Sequence, residues 1–167
     1  MVTRTDADLL KTYAGRGVLL DANLLLLLVI GTCDRKLVRT YKRLSIFAEE
    51  DFDLLALVVS AFRHLYVTPN IITEVSNLAG ALSGDVKRQC FRTLAESIRA
   101  SEELIVSSRD ASNNEMFVEF GVTDAVINIC AGEPPLVLTV DFPLAQTLAS
   151  RGRPVVNFNH LRYTYWQ

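Results

Sequence analysis

Short apolar runs alternate with longer amphipathic stretches along the chain, and the alternation predicts the elements. "DADLLKTYA" (6–14) reads as a short helix, ended by Arg16-Gly17. "VLLDA" (18–22) has the length of a strand. "NLLLLLVIG" (23–31) reads as a buried helix, because leucine favours helix and Gly31 suits a helix end. Two helices follow: "DRKLVRTYKRL" (34–44), basic and amphipathic, and "AEEDFDLLALVVSAFRH" (48–64), whose acidic start suits the helix dipole. "LYV" (65–67) is a short strand. Thr68 as N-cap and Pro69 at the first helical position open the helix of "NIITEVSNLAGAL", which Ser83-Gly84 ends before the amphipathic "DVKRQCFRTLAESIRA". "ELIVSS" (103–108) is strand-like, and "ASNNEMFVEFG" and "VTDAVINICAG" read as two helices. "PLVLTVD" is a strand, "FPLAQTLASRG" a helix and "PVVNF" a last strand; the aromatic tail "NHLRYTYWQ" has no clear pattern.

Strands that alternate with helices predict an α/β fold, a parallel sheet with helices on both faces. No repeat, low-complexity segment or linker divides the 167 residues, so residues 1–167 are expected to form one domain.

Composition narrows the reading. The chain is 50% hydrophobic and 22% charged, which is globular rather than disordered. Its net charge of −2 means that any contact with nucleic acid must come from a local patch. The apolar run 18–31 is shorter than the roughly 20 residues of a membrane span and contains Asp21. The N-terminal segment mixes charges of both signs, unlike a signal peptide. A soluble, cytoplasmic protein with no membrane contact is expected. Cys33, Cys90 and Cys130 form no CxxC pair; they fit neither a disulfide framework nor a zinc site and read as small buried thiols.

In open parallel sheets ligands bind at the carboxyl ends of strands, so the acids found there matter. Asp21 ends the first strand, Glu74 lies in the helix after the second, Asp124 starts a helix after "FGV", and Asp141 ends "LVLTV". Each alone reads as a helix cap or a solvated residue. Together they are stronger, because each is flanked by apolar residues. Two carboxylates about 4 Å apart repel by roughly 4 kcal/mol at an effective dielectric near 20. A cluster of three or four needs protons or a cation. An all-oxygen donor set without Cys or His favours Mg²⁺ or Mn²⁺, and such a site suits phosphodiester hydrolysis.

Four blocks, "VLLDANLLL", "TPNIITEVSNL", "GVTDAVI" and "VLTVDFPLA", resemble in order the motifs of the PIN-domain nucleases, and the match runs from about Val18 to Phe158. The resemblance implies a three-layer α/β/α sandwich around a mainly parallel sheet of about five strands. It also implies a Mg²⁺- or Mn²⁺-dependent endoribonuclease, with Asp21, Glu74, Asp124 and Asp141 as catalytic and metal-binding acids. Asn23 and Thr139 would then orient Asp21 and Asp141 or hold a water of the metal; Thr123 would do the same or simply cap its helix. Small family members are often toxins restrained by a protein antitoxin or inhibitor, and homodimers are common among them. Two departures stand out. Residues 32–66 are longer than in the compact toxins, and no extra acid accompanies Asp124, which favours a single tightly held ion.

An RNA substrate needs phosphate contacts. The densest basic stretch holds Arg35, Lys36, Arg39, Lys42 and Arg43, with Arg35, Arg39 and Lys42 expected on one helical face; a solvated face is the plain alternative. Arg16 and Arg109 are further candidates. His64 and His160 sit in no ligand spacing and are expected to be structural. The competing reading is a catalytically inactive binding or scaffold protein of the same fold. A dinucleotide-binding enzyme lacks its GxGxxG, and a receiver or phosphatase reading of "VLLDAN" fails because Asn23 stands where a second Asp is needed.

Overall fold

The computed structural model describes residues 4–132 and 135–165. Five parallel strands form one sheet in the order β3-β2-β1-β4-β5. They are β1 (Val18–Leu20), β2 (Leu65–Val67), β3 (Glu102–Glu103), β4 (Leu136–Thr139) and β5 (Val155–Asn157). Helix α1 (Arg4–Tyr13) precedes β1; α2 (Ala22–Cys33), α3 (Leu37–Thr40) and α4 (Glu49–Ser60) lie between β1 and β2. Helices α5 (Pro69–Ala79) and α6 (Gly84–Arg99) connect β2 to β3, and α7 (Ser108–Ser112) and α8 (Phe117–Cys130) connect β3 to β4. Helix α9 (Phe142–Ser150) precedes β5 and α10 (Phe158–Tyr165) follows it. The result is the expected α/β/α sandwich. Among the described residues no helix is long and apolar enough to cross a membrane.

The strand order has a direct consequence. From β1 the chain steps to β2 and β3 on one side; β4 and β5 are added on the other. Right-handed crossovers therefore put the helices from α2 to α6 on one face and α7 to α9 on the opposite face. The reversal falls between β1 and β4, and a crevice opens at their carboxyl ends. β1 and β4 are buried along their whole length, as apolar central strands should be. Helix α2 is buried nearly all round, packed among α4, α5 and α6, which explains its unbroken leucines.

Several elements differ from the expectation, each for a local reason. The basic stretch 34–44 is not one helix: α3 spans only Leu37–Thr40, and a 3₁₀ turn covers Lys42–Leu44. Tyr41 between them is extended, its hydroxyl donating to the Leu78 carbonyl. Arg35, Arg39 and Lys42 thus share no helical face. Gly31 does not end α2, which continues to Cys33; a Cβ at residue 31 would collide with the Phe52 ring of α4, so glycine is required for contact. Helix α5 stops at Ala79, earlier than Ser83-Gly84, and Ser83 instead takes the N-cap position of α6. The helix predicted over 48–64 is shorter at both ends, Glu49–Ser60. The strand expected at 103–108 is moved back to Glu102–Glu103, a charged edge strand, and Ser107 caps α7. The helix expected over 111–121 is replaced by the short α7 and the start of α8. Gly121, at φ 84°, interrupts α8 where a boundary between two helices was expected. Part of the aromatic tail is helical, in α10; Trp166 and Gln167 lie outside the described residues.

α10 is tied down by a pair that sequence spacing does not reveal. Asp51, in the first turn of α4, is fully buried. Its two oxygens accept from Arg162 Nε and Nη2, both at 2.8 Å, and Oδ2 also accepts from the Ala48 N–H at 2.8 Å. Arg162 further donates to the Ile46 carbonyl and to Asn159 Oδ1, and lies over the Phe47 ring at 5.4 Å. Removing one partner strands a buried charge. Arg162→Ala is expected to lower unfolding stability by about 3–5 kcal/mol. Denaturant titration checks this; a loss below about 1 kcal/mol would mean that Asp51 is solvated once Arg162 is gone.

Candidate functional site

The crevice at the switch point is an acidic pocket of about 330 Å³. Asp21, Asn23, Glu74, Thr123, Asp124 and Asp141 line it, and Phe120, Val122, Ile127 and Leu144 are among its apolar walls. The four predicted acids therefore come together, delivered by four separate segments: the end of β1, α5, α8 and the loop from β4 into α9.

Asp21 is 5% exposed and is held on every side. Its N–H donates to the Leu138 carbonyl at 3.1 Å, locking it to β4. Oδ1 accepts from the Leu24 N–H at 2.8 Å, which makes Asp21 the N-cap of α2. Oδ2 accepts from the Val140 N–H at 2.9 Å and from the Thr139 hydroxyl. Asp141 is the N-cap of α9 in the same way, with Oδ1 accepting from the Leu144 N–H at 2.9 Å. Thr139 joins the two acids: its hydroxyl donates to Asp21 and accepts from the Asp141 N–H at 3.0 Å. Both aspartates thus cap helices while lining the pocket.

Glu74 and Asp141 are exposed at the pocket rim, while Asp124 is half-buried. Thr123 is buried and donates to Glu74 Oε1, so it fixes the glutamate rather than capping a helix. Gly121 breaks α8 just before this pair, and its positive φ is open to glycine at little cost. Asn23 lines the pocket but stands exposed, outside the set of donors to Asp21; the expectation that it orients Asp21 is not met.

Burial pushes the Asp21 carboxyl above its ordinary range, opposed by the hydrogen bonds from Thr139, Leu24 and Val140. Burial also raises Asp124, to about 7, and the charges of Asp141, Glu74 and Asp21 push the same way. Among the described residues no three acids are drawn close enough to hold one ion as they stand. The donor set among the described residues still fits a hard divalent cation: oxygen donors without thiolate or imidazole, and a mutual repulsion, seen in the raised Asp124, that a cation would relieve.

None of the predicted phosphate-binding cations lines this pocket. Arg35 is held by Asp53, with Nη2–Oδ2 at 2.7 Å and Nε–Oδ1 at 2.9 Å, and by Glu49. Arg39 lies 3.9 Å from Glu49. Arg16 precedes the amino end of β1, five residues or roughly 16 Å of extended chain from Asp21. Lys36, Lys42, Arg43 and Arg109 are exposed elsewhere. His160 pairs with Asp6 at 3.0 Å and His64 lies 3.7 Å from Glu102, so neither histidine joins the site. What the sequence did not announce is the Val140 N–H donor and the wall of Phe120, Val122, Ile127 and Leu144. The apolar flanks of the acids were the only signal.

No family model, curated protein or solved structure matches the chain.

The raised Asp124 carboxyl links stability to pH. The folded chain keeps a proton that the unfolded chain loses near its ordinary value of 3.8. Stability from that proton is complete below about 4 and is lost as pH rises through about 7. In EDTA the Tm is expected to fall between about pH 5 and pH 8, and Asp124→Asn should flatten that slope. Mn²⁺ should raise Tm more at about pH 8 than at about pH 5.5, because binding competes with the proton. Differential scanning fluorimetry across this grid decides; a metal effect independent of pH would remove Asp124 from the ligand set.

Proposed function

We propose that the protein is a metal-dependent endoribonuclease of the PIN-domain kind, hydrolysing RNA phosphodiester bonds with Mg²⁺ or Mn²⁺. The observation that carries the reading is the convergence of Asp21, Glu74, Asp124 and Asp141 in one pocket at the switch point of a parallel sheet. A structural role for these acids does not explain why four separate segments bring like charges to one crevice.

Asp21, Asp141, Asp124 and Glu74 would hold the ion. Bound there, a hard divalent cation supplies Lewis-acid chemistry, activating water and offsetting charge on the phosphate and the leaving oxygen. The remaining work belongs to the chain. Thr139 and the Val140 N–H keep Asp21 fixed, so that little reorganisation accompanies charge development. Thr123 restrains Glu74 at the rim. Asp124, raised to about 7, is suited to give up its proton when a cation arrives and to exchange one near neutral pH. Phe120, Val122, Ile127 and Leu144 form the apolar side of the pocket. On the same reading a toxin role with a protein antitoxin and a homodimer follow from the family resemblance alone, and a cytoplasmic location from the composition.

Purified protein is expected to cut a mixed RNA pool with Mn²⁺ or Mg²⁺ and not with EDTA. Asp21→Asn should abolish cutting. Thr139→Val, which removes the bridge between two acids, should cost about 10–100-fold in activity or metal affinity. Folded wild-type protein that cuts no RNA with either metal would instead support a binding or scaffold role.

A further inference from the structure

We propose that Cys33 and Cys90 form an oxidation site, a thiol pair that closes to a disulfide joining the end of α2 to the middle of α6. The two residues are 57 positions apart in sequence, yet their sulfurs lie 2.7 Å from one another. That is closer than two non-bonded sulfurs rest comfortably and roughly 0.7 Å beyond a bond of about 2.05 Å. Both are free thiols, and they sit where α6 packs against α2. The third cysteine, Cys130, packs instead beside Ala111, Ala125 and Val126.

The pair is asymmetric, which orders the chemistry. Cys90 is fully buried, and burial, reinforced by the neighbouring Cys33, pushes its thiol up to about 12. Cys33 is half-buried, so it is the sulfur that a small oxidant reaches. With hydrogen peroxide, the Cys33 thiol gives up its proton, its sulfur attacks one peroxide oxygen, the O–O bond breaks and the departing hydroxide takes that proton to leave as water; sulfur is oxidised to sulfenic acid and peroxide is reduced. The Cys90 sulfur then attacks the Cys33 sulfur. An S–S bond forms, the S–O bond breaks, and the Cys90 proton leaves with the hydroxyl as a second water. Two thiols and one peroxide thus give one disulfide and two waters.

Cys33 is the last residue of α2 and Asp21 caps its start, roughly 18 Å away along the axis. The link therefore staples two helices far from the acidic pocket. It restricts the unfolded chain by closing a 57-residue span and should raise Tm by about 5–10 °C.

The test uses the full chain. Protein treated with hydrogen peroxide is denatured, alkylated with iodoacetamide and digested without reduction for mass spectrometry. A Cys33–Cys90 peptide two hydrogens lighter than the separate thiols is expected, with Cys130 alkylated. Dithiothreitol should restore three alkylated cysteines and remove the Tm gain. In Cys90→Ser the same treatment should leave Cys33 as a sulfenic acid that dimedone traps. Three alkylated cysteines after peroxide treatment, or a link that involves Cys130 or a second chain, would overturn the proposal.

Discussion

The structure depends on one buried carboxylate. Asp21 sits at the carboxyl end of the central strand, with chain on every side. A charge placed there without partners would be untenable. It is instead met by the Leu24 N–H from α2, the Val140 N–H from the β4–α9 loop and the Thr139 hydroxyl from β4, while its own N–H reaches back to Leu138. One side chain thus joins β1, α2 and β4, the three elements that define the crevice. The arrangement answers why a polar residue interrupts an otherwise unbroken apolar run. The leucines of α2 fill the core, and Asp21 starts their helix.

The other acids make fewer hydrogen bonds. Asp141 is fixed by its cap and by Thr139, Glu74 by Thr123, and Asp124 by its place in α8. Asp21 is the most buried of the four, Asp124 is half-buried, and Glu74 and Asp141 stand exposed at the rim. The least solvated acids carry the perturbed protonation: Asp21 and Asp124 are both raised, and burial is the larger cause for each. Positional order and electrostatic tension come from the same feature, the convergence of strands at a switch point.

Much of this was legible in the chain because it is local. Strand–helix alternation, the Thr68–Pro69 start and the set of four acids rest on short windows, and the fold keeps them. What was missed depends on distant partners. The basic stretch 34–44 reads as a helix until Tyr41 is anchored to Leu78, and its arginine looks free until Asp53 and Glu49 claim it. Gly31 resembles a helix stop, but its reason is the Phe52 ring of another helix. Asp51 and Arg162, 111 residues apart, carry no mutual signal. Cys33 and Cys90 lack any sequence spacing that would pair them. A pattern read in one dimension finds elements and their ends; it does not find what crosses between them.

The distribution of charge bears on how the site would work as a nuclease. Among the described residues the pocket lining holds four acids and no lysine, arginine or histidine. The predicted basic residues are engaged with acids of α4 or lie away from the crevice. A phosphate approaching these acids would meet like charge, at a few kcal/mol for each close pair at intermediate dielectric. A divalent cation would offset about half of that charge before any bond is broken. Metal and RNA binding would then be coupled, each strengthening the other by the same factor, as linkage requires. On the proposed reading, the acidic lining would make the cation matter for substrate entry as well as for chemistry.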